Sequence, residues 1–452
     1  MNMIADNQAL FAMLLSIFAL IILIIRANMH PFAALLIAAI AAAIGAGMAP
    51  DAAMEAVNKG LGGTLGGIAA VIGLGAMFGI LVEHGGGVSA LAHYVTGKTG
   101  SRATRWALAV VGVIIAIPVF FDVAFIILFP LIIAFSKKFT SSPLLFGIPL
   151  LAGLAGAHAF IPPTPGPIAV AQQLGVDLGW VMLFGFIACV PAAMVGGPIF
   201  ASIANRNGWL PHGNPLILDA DEGAAKQFNP AIAKLALSLI LLPLILIIIG
   251  AVARPLGMPD GIILQIISFI GLPVIALLIS CGAAFYAMRP ADKEDRKTLV
   301  RAIEKSLEPI GVILLVTGAG GAFKQILVDT GAGKSLADLA LAAGFTPIIC
   351  GFLIALLLRI AQGSATAAMI TAASLTYPIT AAANLTQPQL ALVAVAIAGG
   401  ATAFSHVNDS GFWLINRYFG LTTPQTFKCW TISSTLTGFT GFFVALILYM
   451  FI

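Results

Sequence analysis

Arg359-Ile-Ala-Gln-Gly-Ser-Ala-Thr366 and Phe404-Ser-His-Val-Asn-Asp-Ser-Gly411 are short polar runs set inside long apolar stretches. Each has a counterpart in the first half of the chain: Ile117-Pro-Val-Phe-Phe-Asp122 and Phe160-Ile-Pro-Pro-Thr-Pro-Gly-Pro167. Pro162, Pro163, Pro165 and Pro167 cannot continue a helix, because each lacks the N–H and clashes with the preceding turn. Unwound backbone at membrane depth is tolerated only where protein or a water-filled cavity satisfies its polar groups. Four such breaks, paired between the halves, predict one central polar site.

The membrane setting follows from composition. Of 452 residues, 60% are apolar and 9% charged, against about 25% charged in ordinary soluble chains. Several apolar runs reach the roughly 20 residues that cross a hydrocarbon core as helix. The net charge of +4 resides in short connecting loops, so membrane topology accounts for it and nucleic acid does not. Cys189, Cys281, Cys350 and Cys429 are scattered without metal or redox spacing and read as small buried residues. Residues 8–26 lack a basic leader and an A-x-A cleavage site, and read as a first span.

Apolar runs and breakers place spans near 8–26, 30–48, 66–84, 143–160, 179–203, 230–250, 261–286, 309–328, 388–404 and 429–451. The stretches 107–135 and 349–379 are interrupted at mid-length and are expected to re-enter without crossing. With the N-terminus outside, seventeen of the 22 basic residues fall on the cytoplasmic side. Lys59, Arg254, Lys324 and Lys334 stay outside, and Arg359 lies within the membrane. That bias obeys the positive-inside rule. Both termini are then periplasmic in a bacterial inner membrane.

Gly75-Ala-Met-Phe-Gly-Ile-Leu-Val-Glu-His-Gly-Gly-Gly-Val-Ser89 resembles Gly321-Ala-Phe-Lys-Gln-Ile-Leu-Val-Asp-Thr-Gly-Ala-Gly-Lys-Ser335, and Gly156-Ala-His-Ala-Phe160 resembles Gly400-Ala-Thr-Ala-Phe404. The near-equal separations define two repeats, 1–203 and 229–452, joined by the polar linker 204–228. The expected fold is an all-α polytopic membrane protein. Each repeat has five spans and one re-entrant hairpin, at about 107–135 and 349–379. Unwound helices lie near the midplane, at about 160–167 and 404–411. Five crossings is an odd number, so the second repeat is inverted, a recurring transporter plan.

The site chemistry follows from helix ends. A half-helix starting near Ser364 or Asp122 directs N–H groups and positive dipole into the site, which suits a carboxylate. The alternative is that both residues are merely helix caps. Ser364 and Thr366 add hydroxyls, and Ser405, Asn408, Asp409 and Ser410 add oxygens. Asp122 and Asp409 are the candidate ion-coupling carboxylates, with His158 and His406 as titratable partners. Arg359 is a candidate partner for the substrate anion, with snorkelling or a salt bridge as the alternatives. Glu83 and Asp329 sit at helix ends and are expected to cap or to pair. Phe121, His158, Pro163, Thr164, Gly363, Ser364, Thr366, Ser405, His406 and Asn408 make up the candidate substrate-binding set. No nucleotide-binding motif, metal-ligand spacing or recognised nucleophile appears, so no cofactor and no enzymatic activity are expected. A channel and an intramembrane enzyme, the latter from His, Asp and Ser lying close in Ser405-His-Val-Asn-Asp-Ser410, are the readings from other classes.

At Gly62-Gly-Thr-Leu-Gly-Gly67 and the four polar runs, with Ser405-His-Val-Asn-Asp-Ser-Gly-Phe-Trp413, the sequence resembles the gluconate permease (gluconate:proton symporter) family, within the ion-transporter superfamily. The resemblance covers nearly the whole chain. It implies uptake of gluconate or a related hydroxy acid with protons, in a mobile domain that moves elevator-fashion against a usually dimeric scaffold. The family commonly has Glu in place of Asp122 and His in place of Thr164. That leaves a shorter hydroxy acid, a keto acid or a serine-like hydroxy amino acid open, and sodium as the alternative coupling ion.

Overall fold

The computed structural model describes residues 2–27, 29–96, 100–211, 230–253, 258–288, 292–331, 346–407 and 409–452. Helices α1 (Asn2–Ile25) and α2 (Pro31–Gly45) precede the long α3 (Pro50–His84) and the short α4 (Gly87–Thr96). A broken pair follows, α5 (Ser101–Ala116) and α6 (Phe121–Phe139). A second broken pair is α7 (Leu144–Phe160) and α8 (Pro165–Leu174). The first half ends on α9 (Leu178–Met194) and α10 (Phe200–Arg206), which are joined by a wide helical turn at Val195–Ile199.

The second half opens with α11 (Pro230–Val252), α12 (Ile262–Ile270) and α13 (Pro273–Met288), then the long α14 (Lys293–Asp329). The broken pairs recur as α15 (Pro347–Gln362) with α16 (Ala365–Ala382), and α17 (Gln387–Thr402) with α18 (Ser410–Tyr418). The short α19 (Thr423–Thr426) leads through a wide turn, Phe427–Thr431, into α20 (Ile432–Phe451). All described secondary structure is helical.

Among the described residues, six helical stretches are long and apolar enough to cross a membrane, and α12 with α13 forms a seventh candidate bent by 69°. This modifies the ten straight spans expected. Residues 261–286 are bent where Gly271 meets the backbone of Gly250 and Pro273 begins a new helix. The spans expected at 30–48 and 388–404 are apolar helices of 15 and 16 residues, below full crossing length, whereas α1, with 24 residues, covers the span expected at 8–26. Conversely α3, with 35 residues, and α14, with 37, exceed a bilayer core, since they measure about 52 and 55 Å at 1.5 Å per residue. Their polar N-terminal turns therefore project beyond it. Lys59 lies within α3 and Lys324 within α14 rather than in loops. Lys324 donates to the Gln173 carbonyl at 2.7 Å and its ammonium lies 4.0 Å from the Tyr377 ring centroid. Most of the 204–228 linker, Lys334 and the end of the Gly321–Ser335 match lie outside the described residues.

Helices α7, α8 and α17 form the buried centre, while Phe11, Ile262, Leu357 and Met450 stay exposed on the flanks, as suits lipid-facing positions. Three cysteines are buried and Cys350 is partly so, and all are free thiols. Asp329 accepts from Gln325 at 2.8 Å, as expected of a helix-end pair. Glu83 differs: its Oε2 is buried without a partner among the described residues.

Glycines let neighbouring helices approach the broken backbone. A Cβ on Gly79 would stand 2.0 Å from the Pro118 carbonyl oxygen, and one on Gly75 would stand 3.2 Å from that of Pro163. The GxxxG pair of α3 thus cradles both breaks of the first half. Gly63, on the same helix, has open space beside it. Gly79→Ala is therefore expected to destabilise the protein by about 1–3 kcal/mol through overpacking. Gly63→Ala should be neutral or stabilising by about 0.5–1 kcal/mol through helix propensity. Thermal unfolding of both variants in detergent checks the contrast, and equal midpoints would remove the cradle.

Candidate functional site

The tips of the broken helices surround a cavity of about 350 Å³, within the usual range for small-molecule sites. Its wall holds Phe120, Phe121 and Asp122 from the start of α6, and Ala155, His158 and Ala159 from the end of α7. Arg359, Gln362, Gly363, Ser364, Ala365 and Thr366 come from the α15–α16 turn. Thr402, Asp409, Ser410, Gly411 and Trp430 complete it.

Three helices begin at this cavity. Helix α16 is capped by Ser364, whose Oγ accepts from Ala367 N–H at 3.3 Å, after Gly363 turns the chain with φ of 77°. Helix α18 is capped by Asp409, whose Oδ1 accepts from Gly411 N–H at 3.0 Å. Helix α6 starts after Phe120 with no side-chain cap, which leaves its first-turn N–H groups unsatisfied by side chains. Three positive helix ends on one space suit an anion.

Arg359 is buried and forms an ion pair with Asp409, its Nη2 donating to Oδ2. Its Nη1 donates to the Gly363 carbonyl. This guanidinium ties the α15–α16 turn to the start of α18. The structure shows the salt bridge, one of the three roles open to Arg359 in the sequence, and places the same residue on the cavity wall. Ser405 Oγ donates to the same Asp409 oxygen and accepts from Trp430 Nε1 at 2.6 Å. Asp122 differs from Asp409. It is exposed and has no hydrogen-bond or ion-pair partner among the described residues. Two carboxylates and one guanidinium thus line the same cavity. His158 Nδ1, Arg359 Nε and both polar atoms of Gln362 are buried without partners among the described residues.

The cavity wall brings together Phe121, Asp122, His158, Arg359, Gly363, Ser364, Thr366 and Asp409. Ser405 lies behind the wall, fully buried, acting on Asp409. Pro163 and Thr164 line a separate small crevice with Gly75 and Pro118, and Thr164 Oγ1 donates to the Ile161 carbonyl at 2.8 Å. The second proline-rich break therefore does not reach the main cavity. His406 also lies off the wall, its Nε2 3.0 Å from the Ile360 carbonyl oxygen. Asn408 lies outside the described residues. The cap reading holds for Ser364 and fails for Asp122, which sits one position inside its helix.

Sequence reading missed Gln362, Thr402, Trp430 and the hydroxyl run after it. Phe404 takes a left-handed φ of 54°. The unwound backbone around it is held by Thr435 Oγ1, accepting from Phe404 N–H, and Ser434 Oγ, accepting from Ser405 N–H, both at 3.2 Å. Thr431 Oγ1 donates to the Ser405 carbonyl at 2.5 Å. The available signal was Thr431-Ile-Ser-Ser-Thr435, a hydroxyl cluster at the head of an apolar span.

A polar cavity walled by interrupted helices inside an apolar helical body fits a multi-pass membrane protein. Residues 8–451 match the GntP family permease model. The inner membrane permease YgbN of Escherichia coli (strain K12) is 36% identical, over 95% of this chain and 96% of that one. The gluconate permease of Bacillus subtilis (strain 168) is 36% identical, over 94% and 96%. The chain belongs to the GntP permease family. The structure of Neisseria gonorrhoeae MtrF, described among antimetabolite efflux pumps, shares the fold. It has a TM-score of 0.64 and 14% identity, over 88% of this chain and 84% of that one.

Proposed function

We propose that this permease imports gluconate or a closely related small hydroxy-carboxylate across the bacterial inner membrane together with a proton. The observation that carries the reading is the convergence of three helix N-termini on a cavity where Asp122 stands unpaired beside the Arg359–Asp409 ion pair. The substrate carboxylate binds at the first turn of α16, near Ser364 and Thr366. The anion adds negative charge where Asp122 already leaves an excess, so a proton on Asp122 balances it. The Bacillus subtilis relative, named a gluconate permease, supports the sugar-acid assignment over a serine-like one.

Losing a hydrogen bond to a charged ligand group costs about 1.5–3 kcal/mol. Ser364→Ala and Thr366→Ala are each expected to weaken gluconate binding about tenfold or more, with expression near normal. Uptake of labelled gluconate by whole cells, with and without an uncoupler, reads both the substrate and the coupling. Uptake that an uncoupler leaves intact, or unchanged affinity in both variants, contradicts the proposal.

The proposed architecture is an inverted repeat moving elevator-fashion, as a homodimer. Helices α3 and α5 to α9 are followed in order by α14 to α18 and α20 at matching lengths. Gly60 of α3 meets Gly321, Ala322 and Gln325 of α14, whereas Leu61 and Leu65 meet Gly318. The two equivalent long helices therefore run in opposite directions, as inversion requires. Single cysteines beside Lys137 and Lys297 should label only from the cytoplasm, and one beside Lys334 only from the periplasm. Labelling of the 137 and 334 positions from one face would exclude inversion.

A further inference from the structure

The side-chain oxygen and nitrogen of Gln362 are both withdrawn from solvent, and neither has a hydrogen-bond partner among the described residues. Gln362 ends α15 one residue before Gly363. It lines the central cavity beside Arg359 and Ser364. It also lines a second cavity of about 410 Å³ on the other side of the same turn, with His30 and Pro31. Gln362 thus lines both spaces while its two unpaired polar atoms are withdrawn into the protein, and they meet an entering molecule once the side chain turns out of the wall.

We propose that the Gln362 amide reads a hydroxyl group of the transported anion, and so sets the preference for a hydroxy-carboxylate over a plain carboxylate. This rests on the reading that a small organic anion occupies the central cavity. A primary amide offers two N–H donors and an oxygen with two lone pairs. The cavity wall carries the Asp122 and Asp409 carboxylates, which only accept, and a set of donors: Arg359, the first-turn N–H groups of α16 and the Thr366 hydroxyl. These donors match an ionised carboxylate, which only accepts. Such a carboxylate has no proton for the amide oxygen and leaves half of Gln362 unsatisfied. A hydroxyl gives and accepts at once, so a hydroxyl beside the carboxylate, or two adjacent hydroxyls, satisfies both ends. This holds whichever way the amide is turned, because both atoms lack partners. A methylene at that position leaves buried polar atoms unpaired. Sites built to bond a hydroxyl reject the analogue lacking it far more strongly than apolar pockets discriminate by size.

The test is direct binding of gluconate and hexanoate, six-carbon acids differing only in hydroxylation, to the purified full chain. The wild type is expected to bind gluconate at least about a hundredfold more tightly than hexanoate. Gln362→Leu and the near-isosteric Gln362→Met should each shrink that ratio at least about tenfold by weakening gluconate alone. Using both variants keeps the test informative should one fold poorly. Equal weakening of both acids, which a purely structural role in the turn produces, overturns the inference, as does an unchanged ratio. A wild type that binds both acids equally overturns this inference while leaving the anion-carrier reading intact. A wild type that binds neither overturns both.

Discussion

Arg359→Met is expected to abolish transport and to lower the stability of the folded protein by about 3–5 kcal/mol, because it strands a buried carboxylate without its partner. Arg359 is 4% exposed and the Asp409 side chain 14% exposed, so little solvent is on hand to replace the guanidinium. Asp409→Asn should cost less, since Ser405 Oγ still bonds a neutral side chain at that position. The double substitution Arg359→Met with Asp409→Leu should recover much of the stability and none of the transport, because an apolar pair removes the stranded charge without restoring the site. Arg359→Lys should rescue poorly, since one ammonium cannot reproduce the fork that holds both Asp409 and the Gly363 carbonyl. Thermal midpoints in detergent, with transport assayed in parallel, check all four. Equal midpoints for Arg359→Met and the wild type would mean that the ion pair does not hold the two broken helices together.

Asp122→Asn is expected to abolish concentrative uptake while sparing exchange of substrate across the membrane. An inside-negative potential opposes entry of a monovalent anion by about 2.3 kcal/mol per 100 mV, or about fiftyfold exclusion at equilibrium. A carrier that binds its coupling proton on Asp122 loses the means to overcome that gradient when the carboxylate becomes an amide. Exchange does not need the coupling ion to move alone, so it persists. Asp409 is the weaker candidate for this role because Arg359 already neutralises it. Accumulation ratios and counterflow rates in cells separate the two effects. Normal accumulation by the Asn variant would move the coupling role to His158, whose Nδ1 has no partner among the described residues.

The breaks were legible in the sequence because their causes are local. Pro118, Pro162 and Pro163, and Gly363 followed by Ser364 each stop a helix through backbone chemistry that needs no tertiary context, and Pro165 opens the next one. The wall residues at the helix starts, Asp122, Ser364, Thr366 and Asp409, were legible for the same reason. What escaped depends on contacts between distant segments. Trp430, in the wide helical turn at the head of the last span, bonds Ser405 across 25 residues of sequence. Thr164 and His406 belong to polar runs, yet their polar groups turn to backbone carbonyls, of Ile161 nearby and of Ile360 in another helix, and no rule of sequence spacing sets that direction. The bend between α12 and α13 was hidden because Gly271 acts through its approach to Gly250, in another helix. Gln362 went unremarked because an amide at the end of a helix becomes informative only once its surroundings are seen to lack a partner for it.

The central claim is that this chain is a proton-coupled carrier for a hydroxylated carboxylate. It is tested most directly in proteoliposomes containing only the purified protein. With a pH gradient, acidic outside, labelled gluconate should accumulate above equilibrium, an uncoupler should release it, and unlabelled gluconate inside should accelerate its entry. Accumulation that follows an inward sodium gradient and ignores the pH gradient would contradict the coupling. Entry with no acceleration by internal substrate would contradict the carrier itself.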